Sequence, residues 1–199
     1  KQFQRLSIQV MQSLAGAIDA KDRYTKGHSQ RVAMYSREIA GRYGYDEEKK
    51  EDDYFAGMLH ALGQIGISNE IINKTGKLTD EEYEIIKTHP SIGGDILSNI
   101  SEIPNIAIGA RWHHERYDGK GYPDGLKGKD IPELARIIGV ADAYDAMTSK
   151  RSYRDVLSQE IVRLEIEKGK GTQFDPEIAE IMLEMIDEDK NYDLWQLIY

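Results

Sequence analysis

The 199-residue sequence has no cysteine. Disulfides, thiolate metal sites and cysteine nucleophiles are therefore excluded, and a reducing cytoplasm fits. No apolar run approaches the roughly 18 to 20 residues of a membrane span, and no signal-peptide pattern opens the chain. Clustered Lys/Arg tracts are missing too: 26 basic residues face 35 acidic ones, for a formal net charge of −9. A nucleic-acid polymer is thus not an expected partner, because its binders present a basic face. Any phosphate ligand must be held by local devices: a metal ion, a few arginines or helix N-termini. No period-2 run is long enough to predict a strand, and repeats, low-complexity tracts and linkers are absent.

Helical signals fill the space that remains. Phe3, Leu6, Val10, Leu14, Ala17 and Ile18 form a helical stripe in residues 1–20. The stripe reads either as core packing or as the continuation of an upstream coiled-coil linker. A second helix opens at His28 and stops at Gly44, and a third runs from the acidic Asp46-Glu47-Glu48 start to about Leu62. Thr79 with Glu82 has the spacing of a capping box. Pro90 suits a first helical turn, "IPNIAIGARWHH" is another helix, and "PELARIIGVADAYDAMTS" follows Pro132. Asp175-Pro176 starts a final helix. Residues 115–131, rich in glycine, read as a long loop. These signals predict one all-α domain spanning residues 1–199, large enough to need no staples. Lys1 is not a natural start, so the segment is expected to come from a longer chain.

The five histidines are His28, His60, His89, His113 and His114, and none lies in the last 85 residues. Histidine is a common neutral metal ligand, but a lone buried one is more often a hydrogen-bonded core residue. The adjacent His113 and His114 can reach one ion only at a frayed helix end, since neighbours on a helix point about 100° apart. Asp142 and Asp145 are three residues apart, on one face of an otherwise apolar helix. A buried carboxylate needs a cation or strong donors; a salt bridge to Arg136 is the plain alternative.

The stretches "AIDAKDRYTKGHSQRVA", "LHALGQIGISNEIINKTGKLTDEE", "HHERYDGKGYPDGLKG" and "ARIIGVADAYDAMTSKRSYR" resemble the HD-GYP group of HD phosphohydrolases from about Leu14 to Ile186. Gly121, Tyr122 and Pro123 supply the GYP. The resemblance implies an HD helical core with extra C-terminal helices, and cyclic di-GMP phosphodiesterase activity dependent on two or three divalent metals. It implies His28, His60, residue 61, His89, His113, His114 and Asp142 as the ligand positions. It also implies that Tyr122 and Pro123 line a nucleotide pocket and that Arg151 and Arg154 approach phosphate or guanine. Arg111, Arg116 and Lys120 are expected to add local positive charge.

Four positions depart from that pattern, the mildest being Asp19, where many members have Glu. Residue 61, where the resemblance implies a carboxylate bridging two metals, is Ala61. A stable dinuclear centre is therefore not expected: alanine neither offsets the charge of two close dications nor fixes their spacing. His89, His113 and His114 remain as one mononuclear set, and His28, His60 and Asp142 as another. One Fe, Mn, Zn or Ni ion, or none, is the expectation. Gln64 stands where a phosphate-side lysine is implied, and Tyr24 where a glutamate would support a third metal. Together these changes read as a degenerate signalling domain, impaired in catalysis, that binds cyclic di-GMP or a protein partner. The alternative is a slow phosphodiesterase producing pGpG or GMP. The expected setting is the cytoplasm, downstream of a sensory or receiver domain, with dimerisation through the first helix.

Overall fold

The computed structural model describes residues 2–22, 25–103, 105–149 and 156–189. Among these residues it is all-α: ten α-helices, two short 3-10 turns and no strand. The first helix, α1 (Gln2–Asp19), turns Ile8, Met11, Ala15 and Ile18 toward the core. Leu6, Val10 and Leu14 are exposed. The stripe read from the sequence is thus mostly the outer face. The inner face is built from small and flexible residues: Ala15 and Met11 pack where Ala33 and Met58 bring the next two helices together.

Helix α2 (His28–Tyr43) ends as expected at Gly44, whose left-handed φ of 104° lets its N–H reach the Ala40 and Gly41 carbonyls. Asp46 then caps α3 (Glu47–Leu59) by accepting from the Lys49 N–H. This helix stops before Leu62, because His60 closes it and a 3-10 turn, Leu62–Gly66, follows. That turn lies so close to the helix after it that a Cβ on Gly63 would sit 1.8 Å from the His89 carbonyl oxygen. A single turn, α4 (Asn69–Ile72), leads to α5 (Asp80–Ile86), which carries the expected Thr79–Glu82 capping box.

Helix α6 (His89–Leu97) pairs with α7 (Asn105–Trp112), and α7 also packs on α3. The central helix is α8 (Glu133–Thr148), against which α2, α3 and α7 all lie. Its Ile137, Ile138, Val140, Ala141 and Tyr144 are buried. Helix α9 (Gln159–Gly169), capped by Ser158, was not anticipated from the sequence; Val162 and Ile166 bury its inner side. Asp175 caps α10 (Pro176–Glu188), which covers α9, α8 and α2 through Ile178, Ala179, Met182 and Leu183. No helix among the described residues is long and apolar enough to cross a membrane.

Candidate functional site

The histidines gather where α2, α3, α6, α7 and α8 converge, and each sits at a helix end or first turn. His28 opens α2, His60 closes α3, and His89 opens α6. His113 and His114 follow the last residue of α7 in a turn, so these neighbours escape the divergence a helix would impose. Asp142 comes from mid-α8. Two groups of three result: His89, His113 and His114 in one, and His28, His60 and Asp142 in the other. Within each group the potential ligand atoms all lie within 4.8 Å of one another. The groups adjoin, with the His60 and His113 ring centroids 4.9 Å apart.

Four of the rings are oriented from behind. His60 Nδ1 donates to the Gly57 carbonyl at 2.6 Å, His89 Nδ1 to Ile86 at 2.7 Å, and His113 Nδ1 to Ala110 at 2.8 Å. His28 Nδ1 meets the Asp145 carboxylate at 2.7 Å. A carbonyl or carboxylate oxygen only accepts, so Nδ1 carries the hydrogen and Nε2 presents a lone pair. These lone pairs face one another: His28 Nε2 and His60 Nε2 are 3.2 Å apart, and His89 Nε2 and His113 Nε2 are 3.3 Å apart. Asp142 Oδ1 adds its charge 3.4 Å from His28 Nε2 and 3.8 Å from His60 Nε2. In the His89–His113 pair, neutral rings with opposed lone pairs repel unless a cation lies between them; burial opposes a charge on His60, but Asp142 holds that ring above its ordinary value, so a proton or a metal ion can answer the carboxylate there. Two nitrogens about 2.1 Å from one ion stand roughly 3.0–3.4 Å apart, so the donor set fits a divalent metal.

Burial keeps the His89/His113/His114 group neutral. It pushes His89 down to about 3, aided by the neighbouring His114, and His114 down to about 4. His113 is held well below its ordinary value by burial and by His114, His60 and His89. Burial opposes ionisation of Asp142, yet His60, His28 and His114 hold it well below the carboxylate range.

Asp145, not Asp142, makes the salt bridge, and its partner is not Arg136. Asp145 is fully buried and takes Arg31 Nε at 2.6 Å and Nη2 at 3.1 Å as well as His28. Arg136 turns away to the Ile131 carbonyl and Asp175. Sequence reasoning missed Arg31. The signal was a matched i, i+3 pair: His28 and Arg31 on α2 face Asp142 and Asp145 on α8. Lys21 was missed as well. Its Nζ donates to the carbonyls of Gln64, Ile65 and Ile67, clamping the 3-10 turn to the end of α1.

Ala61 and Gln64 line a cavity of about 340 Å³ together with all five histidines and Asp142. Lys74, paired with Glu82 at 2.6 Å, is the cationic side chain lining it among the described residues. A second cavity of about 350 Å³ shares the walls His113, His114, Tyr122, Asp142 and Ala146. Tyr122 stacks on His114, with centroids 4.9 Å apart and planes 20° from parallel. Pro123, joined to it by a cis peptide bond, lines neither cavity.

The 115–131 loop is well anchored. Tyr117 and Asp118 N–H groups bond to the Gln173 and Thr172 carbonyls, and Glu115 accepts from the Asp124 and Gly125 N–H groups. Arg111 is paired with Asp124 and Arg116 with Asp118, so both cations hold the loop instead of adding free charge to the site. Arg151, Arg154 and Tyr24 lie outside the described residues.

A family profile described as "HD domain" matches residues 12–178. The 3'3'-cGAMP-specific phosphodiesterase 2 of Vibrio cholerae is 39% identical over 184 residues, which cover 92% of this chain and 35% of that protein. A cyclic di-GMP phosphodiesterase of Thermotoga maritima is 39% identical over 187 residues, covering 92% and 50%. In fold, the chain is similar to a cyclic GMP-AMP-specific phosphodiesterase of V. cholerae, with a TM-score of 0.70 at 22% identity; the match covers 95% of this chain and 52% of that one. The chain thus spans about half, or less, of the length of these relatives.

Proposed function

This chain belongs to the HD-domain family, in its HD-GYP group, and we propose that it binds a cyclic dinucleotide in a metal-dependent way, with hydrolysis weakened at Ala61 and Gln64. The observation that carries the reading is the cavity in which opposed, buried histidine lone pairs face a wall closed by the methyl group of Ala61. One group or the other, His89/His113/His114 or His28/His60/Asp142, would hold a divalent ion; Fe, Mn, Zn and Ni all suit such donors. When bound, that ion would supply Lewis-acid polarisation of a phosphodiester oxygen. Two ions would share Asp142 as the one carboxylate of the two donor groups and carry a net charge of +3 between them, whereas a single ion leaves +1.

The chain's own groups do the rest. The backbone carbonyls of Gly57, Ile86 and Ala110 fix the rings before any ligand arrives. The His114–Tyr122 stack forms a wall against which a nucleotide packs. Lys74 lines the cavity, but its charge is already met by Glu82 at 2.6 Å, so phosphate attraction falls mainly to a bound metal ion. Gln64 offers hydrogen bonds but no charge, which weakens phosphate attraction. The relatives' greater length supports a setting as one module of a longer signalling protein, and we assign it to the cytoplasm beside a sensory or receiver domain.

A second reading, an active phosphodiesterase, is favoured by the phosphodiesterase names of the relatives. Turnover separates the two. Cyclic di-GMP is incubated with anaerobically Fe- or Mn-loaded protein and with a variant carrying Ala61→Asp and Gln64→Lys, and pGpG and GMP are quantified by chromatography. Cleavage by the variant at least about 100-fold faster supports impairment. Comparable rates refute it.

A further inference from the structure

Tyr83 lies on α5, outside every motif that marked the site, yet it lines both cavities. It is shared by both linings together with Tyr122 and His114. Its nearness to Tyr122 is electrostatic as well as spatial: burial, then the Tyr83 hydroxyl, push the Tyr122 hydroxyl up. Despite this position, Tyr83 is 47% exposed. Lys87 Nζ lies 5.4 Å from its ring centroid. The capping box and the Lys74–Glu82 pair fix the start of α5, so the ring is carried by an anchored element.

A cyclic dinucleotide has two bases joined through a ring of two phosphodiesters. Two adjoining cavities of similar size match its two halves, and the histidines at their shared wall are where a phosphodiester would sit. The bases would then extend away from the phosphates toward the solvent-exposed rim, where Tyr83 borders both cavities. An aromatic side chain there offers a flat apolar face and a polar tip suited to a wet rim. Stacking on such a ring accepts any base, because every base has a π-face.

We propose that Tyr83 is the base-stacking residue of this site, clamping one purine of a cyclic dinucleotide at the junction of the two cavities. The proposal rests on the cyclic-dinucleotide reading given above. Tyr83 is a positioning residue; it acts on affinity and leaves the metal-binding groups untouched.

The test titrates cyclic di-GMP into metal-loaded wild type, Tyr83→Phe and Tyr83→Ala, with inorganic phosphate as a base-free probe. A cyclic dinucleotide containing 2-aminopurine reports stacking through quenching of its fluorescence. Tyr83→Phe should bind within about twofold of wild type and quench equally. Tyr83→Ala should bind about 5- to 150-fold more weakly, the range expected for loss of one base stack, and lose the quenching. Phosphate affinity, metal content and thermal midpoint should be unchanged, as expected for a half-exposed side chain. Wild-type affinity and quenching in Tyr83→Ala would overturn the assignment while leaving the cyclic-dinucleotide reading intact. A parallel fall in phosphate affinity or metal content would also overturn it, as a general disturbance of the site. Failure of wild type itself to bind cyclic di-GMP would overturn both.

Discussion

Asp145→Asn is the most informative single change, because it alters charge without altering shape. The wild-type carboxylate, itself out of contact with water, accepts from His28 at 2.7 Å, from Arg31 at 2.6 and 3.1 Å, and from Ser149 Oγ at 3.3 Å. Burial opposes its ionisation, but His28 and Arg31 hold it below the ordinary carboxylate value. Asparagine leaves the buried Arg31 guanidinium without a counter-charge, at a cost of about 3–5 kcal/mol. For a chain of this length each kcal/mol moves the thermal midpoint by roughly 2–4 °C, so a fall of about 6–20 °C is expected. The same change replaces one of the two acceptor oxygens with an amide NH2, so His28 and Arg31 compete for the single oxygen left; the looser hold on His28 should weaken metal binding about 10- to 100-fold at the His28/His60/Asp142 group. The other group should keep its affinity, since His89 and His113 are oriented by the backbone carbonyls of Ile86 and Ala110. Calorimetric unfolding of chelator-treated protein reads the first effect; calorimetric metal titration reads the second. Replacing both charges, Arg31→Met with Asp145→Leu, should restore much of the stability and none of the affinity. A midpoint shift below about 2 °C, or an equal loss of affinity at both groups, would refute the reasoning.

Other changes test other parts of the structure. Asp53 is 3% exposed, one of its oxygens lacks a partner, and burial, then Asp52 and Glu133, push it from 3.8 up to about 7. Between those values the folded protein binds a proton that the unfolded chain releases, so this group lowers stability as pH rises and the loss is complete above pH 7. Asp53→Asn should therefore raise stability by on the order of 1–3 kcal/mol at pH 8 and by about a third of that at pH 5, read as a rise in thermal midpoint; a gap independent of pH would contradict this. A Cβ on Gly121 would lie 2.4 Å from the Arg116 nitrogen and 2.5 Å from the His114 oxygen. Gly121→Ala should displace the Tyr122 loop and weaken cyclic di-GMP binding at least about tenfold, measured by titration, while metal content stays near wild type. Chelation should lower the wild-type midpoint, by about 2.7 kcal/mol if the ion is present at 100 times its dissociation constant. Metal analysis of Ala61→Asp should find more ion bound per chain than in wild type; equal content would mean that a carboxylate at 61 does not create a second site.

What the sequence determined by itself was everything carried by local periodicity and capping chemistry, together with the identity of the donor residues. Gly44, Asp46, the Thr79–Glu82 box and Asp175-Pro176 act within one turn of chain, so their helix boundaries were legible. The all-α class followed, and so did the division of histidines and Asp142 into two groups, through the motifs shared with the HD-GYP group. Periodicity could not say which face of α1 turns inward, because Leu6, Val10 and Leu14 and Ile8, Met11, Ala15 and Ile18 are both apolar stripes. That choice depends on where Ala33 and Met58 leave room. The tertiary structure alone decided the charge partners: Arg31 takes Asp145 and Arg136 takes Asp175, from positions 114 and 39 residues apart. It alone also set the histidine nitrogens lone pair to lone pair and brought Tyr83 beside Tyr122. The physical reason is that hydrogen bonds and burial act over a few ångströms in space, and residues far apart in the chain become neighbours only when the helices pack.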